Sequence, residues 1–378
     1  MMGARATKWR HWLPFTAVLL LGTILRLFRL GAQSLWLDEA FSLIVAQRGW
    51  GQIFTATAQD TMPPLYYLLL HTFLVVDNSE TSARLLSALL GILTIPVLWS
   101  LGRRLFGDRV ALIGALLLAI NPFHIFYSQE ARMYTQLAFF GLLAALCFLI
   151  AWRQDRTRYW IGFVLSSAAA LYTHNMALLL FLPLGLFALI YWRQAWERWK
   201  ELAISLTGIA VLFLPWAARL PGQVARVGGG FWVETPSILQ IFTAVSLFLF
   251  GYALPTPLAV AALVVGLFAV FVTLLIAWRA LRKGIANREA LTYLLCLFAV
   301  PILSAYLISL VYPIYLPRTL IASALALLIL IAWGLTRAPR PVALLLALAG
   351  LALTGASLFN YYADPDYAKP PLREAAAY

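Results

Sequence analysis

Apolar residues in this chain come in long blocks. Residues 12–25, 110–126, 133–151, 159–172, 176–192, 202–218, 257–277, 290–311, 319–335 and 341–358 are nearly free of charge. A helix needs roughly 17–25 such residues to cross a bilayer, and the shorter blocks reach that length once their interfacial ends are counted. Two further apolar blocks, 63–76 and 237–254, fall short or are of doubtful length. Runs of that size are often interfacial or re-entrant. The basic residues decide between these options. They cluster between blocks, as in Gly102-Arg103-Arg104, Arg153/Arg156/Arg158 and Trp278-Arg279…Arg282-Lys283. Basic loops face the cytoplasm, and all three clusters fall on that side only if 63–76 and 237–254 lie along the interface. The pattern therefore predicts an all-α integral membrane protein: a bundle of about eleven transmembrane helices with two interfacial juxtamembrane helices. Its N-terminus is cytoplasmic and its C-terminus external.

Composition strengthens this reading. Of 378 residues, 63% are hydrophobic and 11% are charged, against about 25% charged in an ordinary soluble domain. The net charge of +13 does not point to nucleic acid, because it resides in the short inter-block clusters. Cys147 and Cys296 lie inside apolar blocks without paired spacing, so they read as small buried hydrophobes. Arg5, Lys8 and Arg10 precede the first block, but no small-residue cleavage site follows and Arg26 and Arg29 close the run; it reads as a retained first span. Gly228-Gly229-Gly230 is the expected flexible point of the loop 219–236. Residues 1–358 are expected to form one transmembrane domain, with an outer loop 31–81. Residues 359–378, with Pro365, Pro370 and Pro371, read as an external tail resembling the start of a soluble domain.

Polar residues gather on the outer side. Asp38 and Glu39 follow Trp36 in the first outer loop, where Ser34 is placed to cap a helix starting near Trp36 and acids in its first turn favour the helix dipole. Glu130, Arg132 and Tyr134 follow the block 110–126. His174-Asn175, Asp60 and Arg318 fall on the same side. A carboxylate beside an apolar wall makes a base, and an arginine can hold a departing phosphate. A divalent cation near Asp38, Glu39, Asp60 or a histidine is chemically sensible, since hard cations take oxygen ligands. No metal-ligand spacing identifies its site.

In order and spacing, several motifs resemble the polyprenyl-phosphate-dependent glycosyltransferases of the GT-C fold, in the family 39-like group of protein O-mannosyltransferases and aminoarabinose transferases. They are Arg26-Leu-Phe-Arg29-Leu-Gly…Leu35-Trp-Leu-Asp38-Glu39-Ala-Phe, Pro63-Pro64-Leu-Tyr-Tyr-Leu-Leu-Leu-His71, Ala83-Arg84-Leu-Leu-Ser, Gly102-Arg-Arg-Leu-Phe-Gly107, Tyr127-Ser-Gln-Glu130-Ala-Arg132-Met-Tyr134, Tyr172-Thr-His174 and Tyr315-Leu-Pro-Arg318. The resemblance covers nearly the whole chain. It implies inverting transfer of a sugar from a polyprenyl-phosphate donor to a glycolipid, wall-glycan or protein acceptor, on the external face of the cell membrane. By position it makes Asp38 the base, Glu39 its supporting neighbour and Glu130 the second acid. Arg132 orients Glu130 or binds phosphate, Arg318 takes the lipid phosphate, and Tyr134, His174 and Asp60 are further substrate-side candidates. The sequence departs from the family at Met62, where relatives often carry His or Lys. A transporter is the alternative, but its ionisable groups would sit near mid-membrane between repeated halves, whereas here the acids lie at one interface.

Overall fold

The computed structural model describes residues 12–228, 233–285 and 287–369. The expectations for Arg5, Lys8, Arg10, Gly229, Gly230 and the tail beyond Lys369 lie outside the described residues. The chain opens with α1 (Trp12–Leu27), α2 (Leu37–Ala46), α3 (Trp50–Gln59) and α4 (Leu65–Val76). It continues with α5 (Glu80–Phe106), α6 (Asp108–Ala119), α7 (Pro122–Ser128), α8 (Tyr134–Gln154) and α9 (Thr157–Thr173). A 3₁₀ turn, Asn175–Leu180, leads into α10 (Phe181–Ile190), α11 (Trp192–Glu197), α12 (Trp199–Ala217) and α13 (Leu220–Gly228). Then come α14 (Leu239–Phe250), α15 (Thr256–Arg282), α16 (Arg288–Ser309), the 3₁₀ turn Pro317–Leu320, α17 (Ile321–Leu335), α18 (Arg340–Ala363) and a last 3₁₀ turn, Pro365–Tyr367. No strand is present among the described residues.

Seven of the described helices are long and apolar enough to cross a membrane, and the bent pair α6–α7 makes an eighth if it crosses as one. The expected count of about eleven is therefore not reached on length alone. The shortfall has a local cause at each place. α1 has 16 described residues and α9 has 17, and the block 176–192 is part 3₁₀ and part α. The two blocks expected to lie along the interface form short helices. α4 and α14 have 12 residues each, too few to span. The last helix runs to Ala363, past the expected boundary at 358, so the start of the tail is helical rather than loop. The predicted cap Ser34 is displaced: α2 begins one residue after Trp36, whose side chain makes no cap bond.

Burial sorts the spans into a centre and a rim. The span ending in α17 has 83% of its apolar window buried and α8 has 78%, whereas α12, α15 and α18 have 17–22% and present their apolar faces to lipid. The long helices also share a polarity of ends. α5 carries Arg84 near its start and Arg103 at its finish; α8 runs from Tyr134 to Arg153; the span through α17 runs from Arg318 to Arg337. At the finishing ends the cations pair with acids and tryptophans. Arg103 meets Asp108 at 2.6 Å and Arg153 meets Glu289 at 2.7 Å. Arg282 lies 4.2 Å over Trp278 and Arg337 lies 4.6 Å over Trp333. Such pairs mark a membrane interface, and the other ends of these helices carry the polar residues singled out in the sequence.

One buried arginine holds the upper part of the bundle together. α6 and α7 meet at 57°, with Asn121 as the N-cap of α7 and Pro122 as its first residue. The break orphans the last carbonyls of α6, which water cannot reach. Arg26 of α1 satisfies them: its guanidinium donates to Leu118 O at 2.9 Å, to Ala119 O at 3.0 Å and to His124 Nδ1 at 3.1 Å. Arg26 is 0% exposed and stays inside the bundle, because the broken helix offers it buried acceptors. Gln129 does the same for α1, its Nε2 donating to Arg26 O at 3.0 Å and Phe28 O at 2.8 Å. Gly251, with φ of 72°, ends α14; a Cβ there would stand 3.0 Å from Pro122 Cβ and 3.1 Å from Phe123 N. Only glycine fits both constraints, and the turn delivers Tyr252 to the outer end of the bundle. Replacing Arg26 with Met should leave the buried Ala119 carbonyl unpaired and the Leu118 carbonyl with only the Asn121 N–H at 3.3 Å, and cost about 1–3 kcal/mol. Thermal unfolding in lipid nanodiscs checks this, and an unchanged melting temperature would refute the bracing role.

Candidate active site

The first turn of α2 places the two acids on different sides. Glu39 points inward and is 0% exposed. Arg84 grips it with two bonds, Nε to Oε1 and Nη2 to Oε2, both 2.8 Å. The Ala131 N–H donates to Oε1 at 2.8 Å and Lys369 Nζ donates to Oε2 at 2.8 Å. Arg84 also donates to Leu30 O, Gln33 O and Ser34 O, at 3.1, 2.8 and 3.0 Å. Burial pushes the Glu39 carboxyl up, but the Arg84 hydrogen bonds and the Lys369 charge outweigh it and hold it below the usual range. Glu39 is thus an anion already saturated with donors, and it ties the outer loop, α5, the 130-loop and the strap after α18 together. As a proton acceptor it has no free lone pair to offer.

Asp38 faces the opening. Its side chain is 31% exposed, and its Oδ2 stands 3.9 Å from both Arg132 Nη2 and Arg318 Nη1. The Arg132 Nη1 donates to the Asp38 carbonyl at 3.2 Å and to Ser42 Oγ at 3.3 Å. The expectation that Arg132 orients Glu130 is corrected: its Nη1 bonds go to the α2 turn instead, and no Arg132 bond reaches the Glu130 carboxyl among the hydrogen bonds of the described residues. Arg318 reaches the site from the 3₁₀ turn before α17, lying 5.4 Å over the Tyr134 ring. Tyr134 also meets Tyr127 at 4.9 Å and the His174 ring at 6.2 Å. The Met176 N–H donates to His174 Nδ1 at 3.1 Å, which leaves the ring proton on Nε2. Burial, helped by Arg132 and Arg318, pushes His174 down to about 3, so it is a neutral hydrogen-bond donor at physiological pH.

Glu130 is the unusual acid. It is 1% exposed and its Oε2 has no partner among the described residues. Burial pushes its carboxyl up to about 7, with Lys369, Arg132 and Arg318 opposing and Glu39 reinforcing the rise. Asp60 sits farther out, at the C-cap of α3. The next residue links it to the site rim, Asn175 Nδ2 donating to Thr61 O at 2.7 Å. The structure thus brings Asp38, Arg132, Arg318, Tyr134 and His174 into one chain of contacts, sets Glu130 behind them, makes Glu39 a structural knot, and leaves Asp60 at the edge.

Two residues were missed from sequence. Tyr67 of α4 is fully buried, its hydroxyl has no partner among the described residues, and it feels Arg132, Asp60, Tyr134 and Asp38. The Pro63-Pro64-Leu-Tyr-Tyr motif held it in view, but nothing local separates it from an aromatic belt residue. Lys369 stands alone in the tail with no signal at all. Together the buried, unpartnered Tyr67 Oη, Glu130 Oε2, Arg132 Nε and His174 Nε2 mark a place built to receive polar atoms. Below it, an apolar groove of about 190 Å³ opens between α6, α14, α15, α17 and α18, lined by Ile120, Asn121, Phe250, Val265, Ala269 and Leu328 among others. Asn121 lines the groove at the break between α6 and α7, its Nδ2 donating to Phe248 O at 3.0 Å and its Oδ1 accepting from His124 N at 2.8 Å.

Comparison with known proteins fits this geometry. Residues 61–218 match the family model described as dolichyl-phosphate-mannose-protein mannosyltransferase. The crystal structure of ArnT from Cupriavidus metallidurans bound to undecaprenyl phosphate superposes with a TM-score of 0.63 at 20% identity, covering 93% of this chain and 64% of that one. The apo form of the same protein matches with a TM-score of 0.63 at 19% identity over the same shares. The chain has the GT-C fold. The oligosaccharyltransferase of Archaeoglobus fulgidus in complex with zinc and sulfate gives a TM-score of 0.59 at 14% identity, covering 95% of this chain and 53% of that one. This GT-C chain therefore spans less than two thirds of the length of these neighbours. No curated protein sequence matches it. The resemblance drawn from the motifs is borne out, and the chain is a multi-pass membrane protein.

The expected divalent cation finds no suitable donors here. Among the described residues no three His, Cys, Asp or Glu side chains group to hold one. The donor set itself argues the same way, since Asp38 is faced by two guanidiniums and the Glu39 oxygens are taken by Arg84, Ala131 and Lys369. The positive charge of the site comes from arginine.

Two outcomes follow. Arg84→Met should leave a buried carboxylate without its main partner and destabilise the protein by about 3–5 kcal/mol, while Asp38→Asn should leave the melting temperature nearly unchanged; equal losses in a nanodisc melt would refute the division of roles. Glu130 has a folded value of about 7 against an ordinary 4.5, so the folded state holds a proton that the unfolded state has released. Its contribution therefore makes stability fall as pH rises from about 4.5 to about 7. Melting temperature against pH should show this decline in the native protein and a flatter curve in Glu130→Gln; matching curves would refute it.

Proposed function

We propose that this chain is an inverting glycosyltransferase, moving a sugar from a polyprenyl-phosphate donor to a hydroxyl or amine of a glycolipid, wall glycan or protein. The observation that carries the reading is Asp38: a half-open carboxylate between two guanidiniums, at the polar end of a GT-C bundle. Asp38 takes the proton of the acceptor group. The acceptor atom forms its bond to the anomeric carbon from the face opposite the phosphate, the carbon–oxygen bond to phosphate breaks, and that electron pair leaves on the phosphate oxygen. Single displacement gives inversion. Arg318 and Arg132 stabilise the departing polyprenyl phosphate, since charge-assisted bonds from a fixed guanidinium strengthen as negative charge develops. Tyr134 and the His174 Nε2–H are placed for the sugar, and Glu130, close to neutrality, adjusts the charge behind it. Asp60 lies at the acceptor rim.

The apolar groove beneath Asn121 suits the prenyl chain, which keeps the hydrocarbon in the membrane and its phosphate at the interface. The basic and tryptophan-bearing ends of the helices then face the cytoplasm, which puts the N-terminus inside, and the site with the strap after α18 on the external face of the cell membrane. Arginine supplies the cationic assistance in this reading, with no step through a metal ion.

The test uses the protein in lipid with radiolabelled polyprenyl-phosphate sugars. The native chain should transfer sugar to a membrane or protein acceptor. Asp38→Asn should lose at least about a hundredfold in rate while binding the donor normally. Equal transfer by both would remove Asp38 from the reaction, and absence of saturable donor binding by the native chain would refute the function.

A further inference from the structure

The strap after α18 carries a charge that the reaction does not use. Lys369 lies just beyond the 3₁₀ turn Pro365–Tyr367. Its backbone N–H donates to Gln33 Oε1 at 3.2 Å, and its ammonium, 10% exposed, meets the fully buried Glu39 at 2.8 Å. The end of α18, from which the strap leaves, is fastened to α1 and to the segment after it at further points. Arg29 Nη1 donates to Tyr362 O at 2.6 Å, Gln33 Nε2 to Tyr361 O at 3.5 Å, and the Tyr362 hydroxyl to Leu25 O. Lys369 therefore does not sit at Glu39 by chance of a loose tail; backbone and side-chain bonds on both sides deliver it there.

Charge balance shows what it is for. Glu39 with Arg84 is already a neutral, bidentate pair. A lysine seldom gives up water for a carboxylate that is already matched. The second positive charge also faces the second buried acid, Glu130, where its field is the largest influence opposing the proton. The same Glu39 that Lys369 grips accepts the Ala131 N–H, one residue from Glu130 and one from Arg132, and is itself the neighbour of Asp38 in the α2 turn. We infer that Lys369 is a positioning residue: its ammonium closes the Glu39 knot from the outer side and so holds the Asp38 turn and the Glu130 loop in register. The external strap is in this way mechanically and electrically joined to the base. The rate readout rests on the sugar-transfer reading; the titration readout does not.

Glu130 is faced by Lys369 from the strap, by Glu39 from α2, by Arg132 from its own loop and by Arg318 from the turn before α17. The hydroxyls of Tyr127, Tyr134, Tyr252 and Tyr361 surround it. Of these cations only Lys369 is absent from the proposed phosphate site, so its removal leaves the arginines in place and moves Glu130 further upward from about 7.

The test compares the full chain with Lys369→Met, Lys369→Gln and Lys369→Arg in nanodiscs. In Lys369→Met, kcat should fall on the order of tenfold with the donor KM held within about twofold, because misplacing the base costs rate rather than binding. The midpoint of the Glu130-linked decline in stability should rise, and Lys369→Arg should restore both quantities. The midpoint should vanish when Glu130→Gln is added. If Lys369→Met does not fold, Lys369→Gln supplies the same comparison. A merely structural strap would lower the melting temperature equally at every pH, with the midpoint unmoved and Lys369→Arg no better than Lys369→Met; that result overturns the inference. Should the native chain transfer no sugar, the functional reading fails alone, and the midpoint still decides the place of Lys369.

Discussion

The bidentate contact between Arg84 and Glu39 is the constraint from which the site-bearing half of this protein is built. Neither partner touches water, and both lie at the ends of elements that would otherwise have no reason to meet: the first turn of α2 and the first turns of α5. Once formed, the pair has donors and acceptors left over. Arg84 spends its remaining N–H groups on the carbonyls of the 30–34 turn, and Glu39 spends its remaining lone pairs on the 130-loop and the strap. Ion pairs in low-dielectric surroundings are favourable only with such complete satisfaction, which explains why this one is a hub and not an isolated contact. Asp38 is the beneficiary. Its neighbour is locked, so its own carboxylate is held at the opening without a partner closer than 3.9 Å.

The same economy recurs at the broken span. A helix that bends by 57° between α6 and α7 exposes backbone carbonyls where no water reaches them, and Arg26 and Gln129 answer with side-chain donors. The break turns α7 so that Tyr127 and the loop bearing Glu130 and Arg132 face the α2 turn. The positive-φ turn at Gly251 brings Tyr252 to Tyr127, their hydroxyls 2.8 Å apart. The two short apolar helices act as carriers: α4 contributes Tyr67, and α14 leads through the Gly251 turn to Tyr252. The site is assembled from helix ends, which is where a membrane protein can place irregular backbone and polar groups at a water interface while its helices keep the hydrocarbon layer sealed.

The electrostatic design separates three acids by environment. Glu39, saturated with donors, stays ionised; Glu130, buried with an unpartnered oxygen, sits near neutrality; Asp38 stands half open between two guanidiniums. Groups of one chemical kind pushed apart by burial and neighbours are the usual way a site divides labour between acids. Arginine supplies the positive charge, and its fixed fork suits a phosphate better than a lone ammonium does.

Hydropathy is local and additive, so the sequence by itself determined the membrane class, the helical content, the two blocks too short to cross and the acidic pair behind Trp36. The ordered motifs around Asp38, Glu130, His174 and Arg318 were legible too, because each is a contiguous string. What the sequence could not determine was which partner each charge takes, since that depends on contacts between residues far apart along the chain. Glu39 was legible as the supporting neighbour of Asp38, but not that Arg84, Ala131 and Lys369 would take its oxygens. Arg132 looked like a partner for Glu130 and turned instead to Asp38. Arg26 read only as the close of the first apolar run and proved to be the brace of a broken helix. Only the tertiary structure decided these roles, because in a low-dielectric interior a charge goes to whichever distant group can satisfy it, and proximity in sequence does not measure that.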